Sequence, residues 1–215
     1  MSKSFGNTKG SAQKKEQGYV MKDGENTLRM VGNILPRYVY WLKGLNNKDI
    51  PVESLSFDRE EEKFTNVVND HVQEYFPDKK CSWSYSIMCI DPTDGKVKVF
   101  NLKKKLYEQI MVAAEDLGDP TDYTTGWDIV FKKAKNGPLP FNVEYTLNVL
   151  RCKKRALTPE EIALVEAAPT IDTIYPRPTP VETKAICEKI KNGVPDEETE
   201  GSEGTEGVNE LDNAK

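Results

Sequence analysis

The sequence predicts a mainly β protein with helical insertions, folded as one small antiparallel β-barrel. Two hairpin patterns with clear turn chemistry and a first segment of alternating apolar residues indicate antiparallel strand pairing. The elements follow in the order strand, strand, helix, hairpin, helix, hairpin, which is not the regular βαβ alternation of a parallel sheet. With 215 residues the chain suits one domain of ordinary size. We expect the barrel to occupy residues 23–156.

Two strand patterns come first and a helix pattern follows them. Residues 27–35 alternate apolar and polar side chains and stop at Pro36, which cannot donate to a strand ladder. A short aromatic strand follows at residues 38–41. Residues 56–76 carry apolar side chains at three- and four-residue spacing among charges, which predicts an amphipathic helix ended by Pro77.

Both hairpins are marked by their turns. The first joins the β-rich residues 81–90 to the strictly alternating residues 96–102 through the turn residues Asp-Pro-Thr-Asp-Gly. The second joins residues 127–135 to residues 142–151 through an Asn-Gly-Pro turn. One face of each returning strand is apolar, so each hairpin is expected to contribute to the core.

Further helices are predicted between and after the hairpins. Residues 104–117 show an apolar stripe at helical spacing. An extension over residues 157–194 opens with a capping box at Thr158, which predicts a short helix to about Ala168. A proline-rich linker then leads to a last helix that ends near Gly193.

The two ends of the chain have opposite charge. Residues 1–22 carry five lysines against one glutamate, which predicts a flexible, disordered basic arm. Residues 195–215 carry eight acidic residues against one lysine, a local net charge of −7, which leaves +2 for the rest of a chain whose total is −5. We expect this segment to be a disordered acidic tail. A basic body with such a tail is typical of a protein that binds a polyanion for which its own tail competes. A plain solubility tail is the alternative.

In the strand over residues 96–100, the two valines lie on one face and the remaining side chains on the other. Val97 and Val99 face one way, and Lys96, Lys98 and Phe100 face the other, which we interpret as the solvent face. The ammonium groups would neutralise phosphates while the ring stacks on a base, an interaction of about 1–3 kcal/mol. An ordinary solvated face with one stray phenylalanine is the competing interpretation.

Three further segments combine aromatic and basic residues in the same way, and their repetition favours binding of a single-stranded nucleic acid. About half of the rings are expected in the core, with Trp127 and Tyr145 as first candidates. The candidate binding residues are Arg37, Tyr38, Tyr40, Trp41, Lys43, Trp83, Tyr85, Lys96, Lys98, Phe100, Lys103, Lys104, Lys105, Tyr107, Phe131, Lys132, Lys133, Lys135, Phe141 and Arg151.

The sequence does not predict an enzyme. His71 is the only histidine and no nucleophile motif accompanies it. A metal site from His71, Cys81 and Cys89 would lack a fourth ligand, so no metal and no cofactor are predicted. Phosphate-cradling glycine loops are absent. No apolar run approaches the about 20 residues that span a bilayer, and the start lacks a secretory signal, so a cytoplasmic protein with reduced thiols is expected.

Two stretches carry a resemblance to a known family. The first is Trp83-Ser-Tyr-Ser-Ile-Met-Cys-Ile-Asp-Pro, continued by Gly95-Lys-Val-Lys-Val-Phe-Asn-Leu-Lys-Lys-Lys-Leu-Tyr-Glu-Gln-Ile110. The second is the strand at residues 129–135, followed by a glycine-containing turn and Asn142. In both, the sequence resembles the replicative single-stranded DNA-binding, or helix-destabilising, proteins of T4-like tailed phages. The similarity is patchy and covers roughly residues 25–155.

The resemblance implies an OB-fold core, cooperative coating of single strands, and roles in viral DNA replication, recombination and repair. It implies self-association along DNA through the basic arm and recruitment of replication proteins by the acidic tail. It places Trp83 and Phe100 where the family presents rings to DNA. The family's type member holds a zinc ion, but only His71, Cys81 and Cys89 remain here, which favours a zinc-free form.

Two other functions stay open from the sequence alone. One is a protein-interaction scaffold whose tail and terminal helices bind partners and whose rings are all internal. The other is RNA binding, because base stacking and phosphate contacts do not distinguish ribose from deoxyribose. A nuclease is the least favoured alternative, since no carboxylate set lies in a metal-binding context.

Overall fold

The computed structural model describes residues 18–139 and 142–193. The first 17 residues of the predicted basic arm, Phe141 and the predicted acidic tail lie outside these ranges. The strands are β1 (Gly24–Leu35), β2 (Tyr38–Lys43), β3 (Asp49–Glu53), β4 (Phe57–Asp58), β5 (Lys63–Phe64), β6 (Ser82–Trp83), β7 (Ser86–Asp91), β8 (Lys96–Asn101), β9 (Trp127–Lys135), β10 (Val143–Leu147) and β11 (Lys153–Lys154). The helices are α1 (His71–Tyr75), α2 (Lys104–Leu117), α3 (Pro159–Ala167), α4 (Ile171–Ile174) and α5 (Pro180–Asn192).

The largest sheet is antiparallel and strongly curled. Its order is β10-β9-β1-β7-β8, with β11 added along β9. The long strand β1 pairs with β9 through its first half and with β7 through its second half. Phe100 on β8 and Phe131 on β9 are separated by two strands, yet their ring centroids lie 6.0 Å apart. This contact across the concave face is possible only because the sheet curls on itself.

The predicted barrel is wrong in one respect, because among the described residues the edge strands β8 and β10 do not pair. The free edge of β10 is bonded to helix α2 instead. The Gln109 side chain donates from Nε2 to the carbonyl oxygen of Tyr145 at 3.0 Å and accepts from the Leu147 N–H at 2.8 Å. One amide side chain therefore takes the place of two ladder bonds, and the sheet stays open.

The curled sheet is buried on its concave face and, at β7 and β8, also on its convex face. The concave face holds the main core, which includes Phe100, Trp127 and the apolar stripe of α2. The convex face of β7 and β8, with Ile90 and Val99, is covered by α3 and α4. Tyr19, which the sequence places in the basic arm, is buried against the main core, and its N–H donates to the Val99 carbonyl at 2.7 Å.

The predicted helix over residues 56–76 is wrong. The segment contains the hairpin β4–β5, a loop, and only five residues of helix, α1. The Asp58 carboxylate accepts from the backbone N–H groups of Glu60 and Glu61, at 2.9 and 3.0 Å, and Glu62 takes a left-handed φ of 48°. These bonds favour a turn over a helix. The regular apolar spacing therefore came from a hairpin and a loop in succession.

The insertion between β1 and β7 forms a second, smaller sheet in the order β3-β2-β6. Its apolar side chains pack against α1 and α5 around Tyr40 and Cys187. The carboxylate of Asp70 caps α1 and accepts from the hydroxyls of Tyr40 and Ser54, at 3.1 and 2.6 Å. This buried network fixes the start of α1 to the small sheet.

Most other predicted elements are confirmed. Helix α2 has the predicted bounds and ends at Gly118, whose positive φ of 80° suits glycine. The helices after residue 157 are confirmed, and both α3 and α5 open with capping boxes, at Thr158 and Thr179. The predicted linker between them contains the short α4. We refer to residues 157–193 as the C-terminal strap, because they run from the convex sheet face to the small sheet.

The turn between β7 and β8 should make stability sensitive to acid. Burial acts to raise the pKa of Asp91, but hydrogen bonds from Lys98 Nζ at 2.7 Å and from the Thr93 hydroxyl at 2.6 Å outweigh burial and hold that pKa below its usual value. The stabilisation is therefore present above about pH 4, the unfolded pKa of an aspartate, and is lost as the pH falls through the folded pKa.

We expect Asp91→Asn to lower the free energy of unfolding at about pH 7, and the difference from wild type to shrink below about pH 4. Urea unfolding at several pH values measures this difference. Asp116→Asn, which removes an exposed carboxylate on α2, is the matched control. A difference that stays constant down to about pH 2.5 would show that the Asp91 contacts do not favour the ionised form.

Candidate nucleic-acid interface

A row of four accessible rings lies where the small sheet meets α2. Phe64 is exposed, and Tyr38, Trp83 and Tyr107 are half-buried. Ring centroids are 4.9 Å apart for Phe64 and Tyr38, and 5.8 Å apart for Trp83 and Tyr107. Tyr38 and Trp83 face each other as cross-strand partners in β2 and β6. We call these four residues the aromatic row.

Two buried rings support the row from below. Phe57 lies 4.7 Å from Tyr38 and 5.2 Å from Phe64, centroid to centroid. Tyr85 is stacked on Trp83 at 4.3 Å and lies 6.0 Å from Tyr107. The rings of the row are therefore held at fixed positions instead of turning freely in solvent, which reduces the entropy lost when a planar ligand stacks on them.

The hairpin β4–β5 carries Phe64 and is fixed on both sides. Beneath it, the Tyr85 hydroxyl donates to Glu62 at 2.7 Å. Burial first, and this carboxylate second, raise the pKa of Tyr85 well above its usual value, so the hydroxyl keeps its proton. From the C-terminal strap, Arg177 donates to the carbonyl oxygens of Leu55 and Phe57, at 3.1 and 2.8 Å. Both contacts hold the hairpin against the rest of the row.

Cationic residues occur beside the row. Lys103 is the N-cap of α2, and Lys104 and Lys105 begin the helix whose first turns carry Tyr107. Lys105 is exposed. Lys63 precedes Phe64 in β5 and forms an ion pair with Glu61 at 2.8 Å. Rings beside ammonium groups are what binding of an unpaired nucleic-acid strand requires, because bases stack while phosphates are neutralised.

Four of the predicted binding rings are buried instead, and one of them is Tyr85, which supports the row from below. Phe100 and Phe131 are completely inaccessible in the main core, and the Tyr40 hydroxyl bonds to Asp70 inside the small sheet. The alternation of the strand at residues 96–100 is correct, but its Phe100 face points into the curl of the sheet. The prediction that Phe100 lies on a solvent face is therefore wrong.

The two lysines of that strand differ in exposure and in ion pairing. Lys96 is exposed. Lys98 is largely covered and forms ion pairs with Asp91 at 2.7 Å and Asp94 at 3.0 Å. These pairs already neutralise the Lys98 ammonium group, so it is less suited than Lys96 to contact a phosphate.

The side chains of three other predicted residues make their contacts outside the row. Arg37 stacks over the ring of Tyr175, 4.0 Å from its centroid, and burial lowers the pKa of its guanidinium group. Trp41 occupies the face of β2 opposite to Tyr38 and donates to the Ser82 hydroxyl at 3.2 Å. Lys43 forms an ion pair with Asp49 at 2.8 Å.

The basic side chains of β9 form a separate group. Lys132 and Lys135 are exposed. Lys133 forms an ion pair with Asp23 at 3.1 Å, and Arg151 forms one with Glu25. By strand alternation Lys132 points to the face of β9 opposite to Phe131. Phe141 lies outside the described residues.

Sequence reasoning missed Phe57 and Phe64. Both were assigned to one apolar stripe of a helix, whereas they are cross-strand partners in the hairpin β4–β5. The signal that could have found them is the charged stretch between them, with Asp58 at its start in the position that initiates a turn.

The residues considered for a metal site are not brought together. Cys89 is buried in the main core, whereas Cys81 packs against the small sheet. His71 contacts Glu74 through Nδ1 at 2.8 Å. Over residues 18–139 and 142–193, no group of three or more His, Cys, Asp or Glu side chains is arranged to hold a metal ion.

Comparison with known proteins gives one informative similarity. The chain is 26% identical over 242 aligned positions to a protein of Escherichia phage T5 named as a probable ssDNA-binding protein. The alignment covers 95% of this chain and 92% of the phage protein. The similarity is to a T5 protein and not to the T4-like proteins that the sequence motifs resemble. No family model and no solved structure matches the chain.

Within residues 18–139 and 142–193, no helix is long and apolar enough to cross a membrane.

Proposed function

We propose that the protein binds single-stranded DNA without sequence preference, by base stacking and phosphate neutralisation. The observation that carries the proposal is the aromatic row. Its four rings lie on β2, β5, β6 and α2, and α2 begins with three consecutive basic residues. Stacking on such rings tolerates any base, since every base has a π-face. The name of the T5 relative, which aligns with nearly the whole chain, supports the same function.

We also infer an OB-fold with one strand pair left open. Five strands, β1, β7, β8, β9 and β10, form the curled sheet, and partly open five-stranded barrels are typical of this fold. OB-folds bind oligonucleotides on the face of their second and third strands and on the loops nearby. Here the corresponding convex face is covered by the C-terminal strap, so the long insertion between β1 and β7, which carries three rings of the row, is the better binding element.

Titration with oligo(dT) tests the proposal. The chain has three tryptophans. Trp127 is buried and donates to the Gly118 carbonyl at 2.8 Å, and Trp41 lies on the face of β2 opposite to Tyr38, so a change in emission is expected from Trp83 in the row. We expect quenching on binding that is lost in Trp83→Phe. The binding constant should fall steeply with salt, by a log-log slope of about 0.7 for each phosphate contact. Unchanged emission and no binding at low salt would refute the proposal.

In its biological role we propose that the protein coats and protects single strands during viral DNA replication, recombination and repair in the host cytoplasm. Self-association along the strand through the basic N-terminal arm would make coating cooperative. The acidic tail would recruit replication proteins. These partners are proposed from the opposite charges of the two ends of the chain and from the resemblance of the sequence to phage single-stranded DNA-binding proteins. No enzymatic activity is proposed.

Deletion of residues 195–215 should tighten DNA binding, because the tail has a local charge of −7 and competes with phosphates for the same cations. The effect should be largest at low salt and shrink as salt screens the competition. Fluorescence anisotropy of a labelled oligo(dT) measures both constants. Equal affinity with and without the tail at low salt would contradict the expectation.

A further inference from the structure

Beyond the end of the aromatic row, a bulge in β1 opens a pocket. The register of β1 against β7 shifts between Val31 and Leu35, where four residues of β1 advance against two of β7. Gly32 takes a left-handed φ of 72° within this bulge. Bulges of this kind redirect side chains and are frequent beside binding sites. Here the bulge brings Asn33 to the wall of a cavity of about 230 Å³.

The pocket continues the aromatic row, because Tyr107 belongs to both. The opposite wall is α2, with Ile110 and the exposed Met111. Pockets for drug-sized ligands measure about 300–1,000 Å³. The smaller volume of this one suits a single planar ring, such as the base of a nucleotide whose neighbour stacks on the row.

The polar atoms of the pocket suit the edge of a base and not a phosphate. No lysine or arginine is among the described residues that line it. Asp119 accepts from the N–H and the hydroxyl of Thr121 through Oδ1, both at 2.8 Å, and its Oδ2 has no partner among the described residues. The amide of Asn33 likewise has none. A carboxylate oxygen accepts hydrogen bonds only, so it favours a base that presents an exocyclic amino group.

We propose that this pocket is a subsite for one base with an exocyclic amino group, formed by Asn33, Tyr107 and Asp119. The inference rests on the proposed single-strand binding and adds a base preference to it. Cytosine and thymine test it, since they have the same ring size and differ at C4 by an amino donor and a carbonyl acceptor, besides the N3 proton and the C5 methyl group of thymine.

Competition of oligo(dC) and oligo(dT) of equal length, measured by anisotropy at one salt concentration, tests the subsite. We expect the full chain to bind oligo(dC) about 2- to 10-fold more tightly, the size of one net hydrogen bond. Asp119→Asn and Asn33→Ala should each reduce this ratio towards one. Asp116→Asn removes the same charge from exposed α2 surface outside the pocket lining, and it should change both affinities alike and keep the ratio.

The outcomes separate the subsite from the function on which it rests. Equal binding of both oligonucleotides by the wild type, or a ratio that survives Asp119→Asn, would overturn the subsite and leave single-strand binding in place. Absence of binding to either oligonucleotide would overturn both. Circular dichroism of each variant distinguishes a lost contact from a lost fold.

Discussion

Phe100→Ala is expected to lower the free energy of unfolding by about 3–5 kcal/mol while the folded fraction keeps its affinity for single-stranded DNA. The ring is completely inaccessible, and it packs edge-on against Tyr19 and within 6.0 Å of Phe131. Truncation leaves a cavity inside the curl of the sheet, and close-packed cores refill such cavities only partly. Urea denaturation followed by circular dichroism measures the loss.

Phe64→Ala is the matched control for this variant. It removes the same side chain from an exposed position on the hairpin β4–β5 and should cost about 1 kcal/mol or less in stability. DNA affinity is compared at a denaturant-free condition where both variants are folded. Normal stability together with weakened DNA binding in Phe100→Ala would show that Phe100 contacts DNA, as strand alternation alone had suggested.

The contrast between Phe100 and Phe64 shows what strand alternation cannot predict. Alternation correctly sorts the side chains of residues 96–100 into two sets, but it does not say which set faces the core. Here Phe100 is covered by the curl of the sheet, and Val97 and Val99 are covered by the C-terminal strap. Which residues cover a face depends on contacts distant in sequence, and these leave no periodic signal in the strand itself.

Local chemistry explains the elements that could be predicted. The turn at Asp91–Gly95, the helix closed by Gly118 and the capping box at Thr158 are each specified by residues within a few positions. The helix predicted over residues 56–76 was wrong because a charged turn and a loop by chance place apolar side chains at helical spacing. The open edge of β10 could not be predicted either, since it depends on Gln109, which lies 38 residues before Leu147 in the chain.

The candidate site could likewise be predicted only in part. Tyr38 and Tyr107 could be selected from the sequence because each lies beside basic residues, and Trp83 because it lies in the predicted hairpin strand at residues 81–90. That they form one row with Phe64 could not, because the row depends on the pairing of β2 with β6 and on the packing of α2. Composition indicated the chemistry of the site, and the tertiary contacts determine which rings are available to carry it.

Removal of one ring from the row should weaken single-strand binding substantially. Trp83→Ala is expected to lower the affinity for oligo(dT) by about 1–3 kcal/mol, or roughly 5- to 150-fold, which is the value of one stacked base. Trp83 also stacks on Tyr85 at 4.3 Å, so its removal disturbs packing as well as binding. Phe64→Ala is therefore the second variant, because the exposed Phe64 ring can be removed with less effect on packing. Anisotropy titrations give both constants.

The salt dependence identifies which part of the interaction each variant removes. Loss of a ring should leave the slope of log affinity against log salt unchanged, whereas Lys105→Ala should reduce it by about 0.7 if that lysine contacts a phosphate. Leu164→Ala is the control for Phe64→Ala, since both side chains are 47% exposed and Leu164 lies on α3, in the C-terminal strap. If Phe64→Ala and Trp83→Ala bind like Leu164→Ala, the aromatic row is surface packing and the bases stack elsewhere.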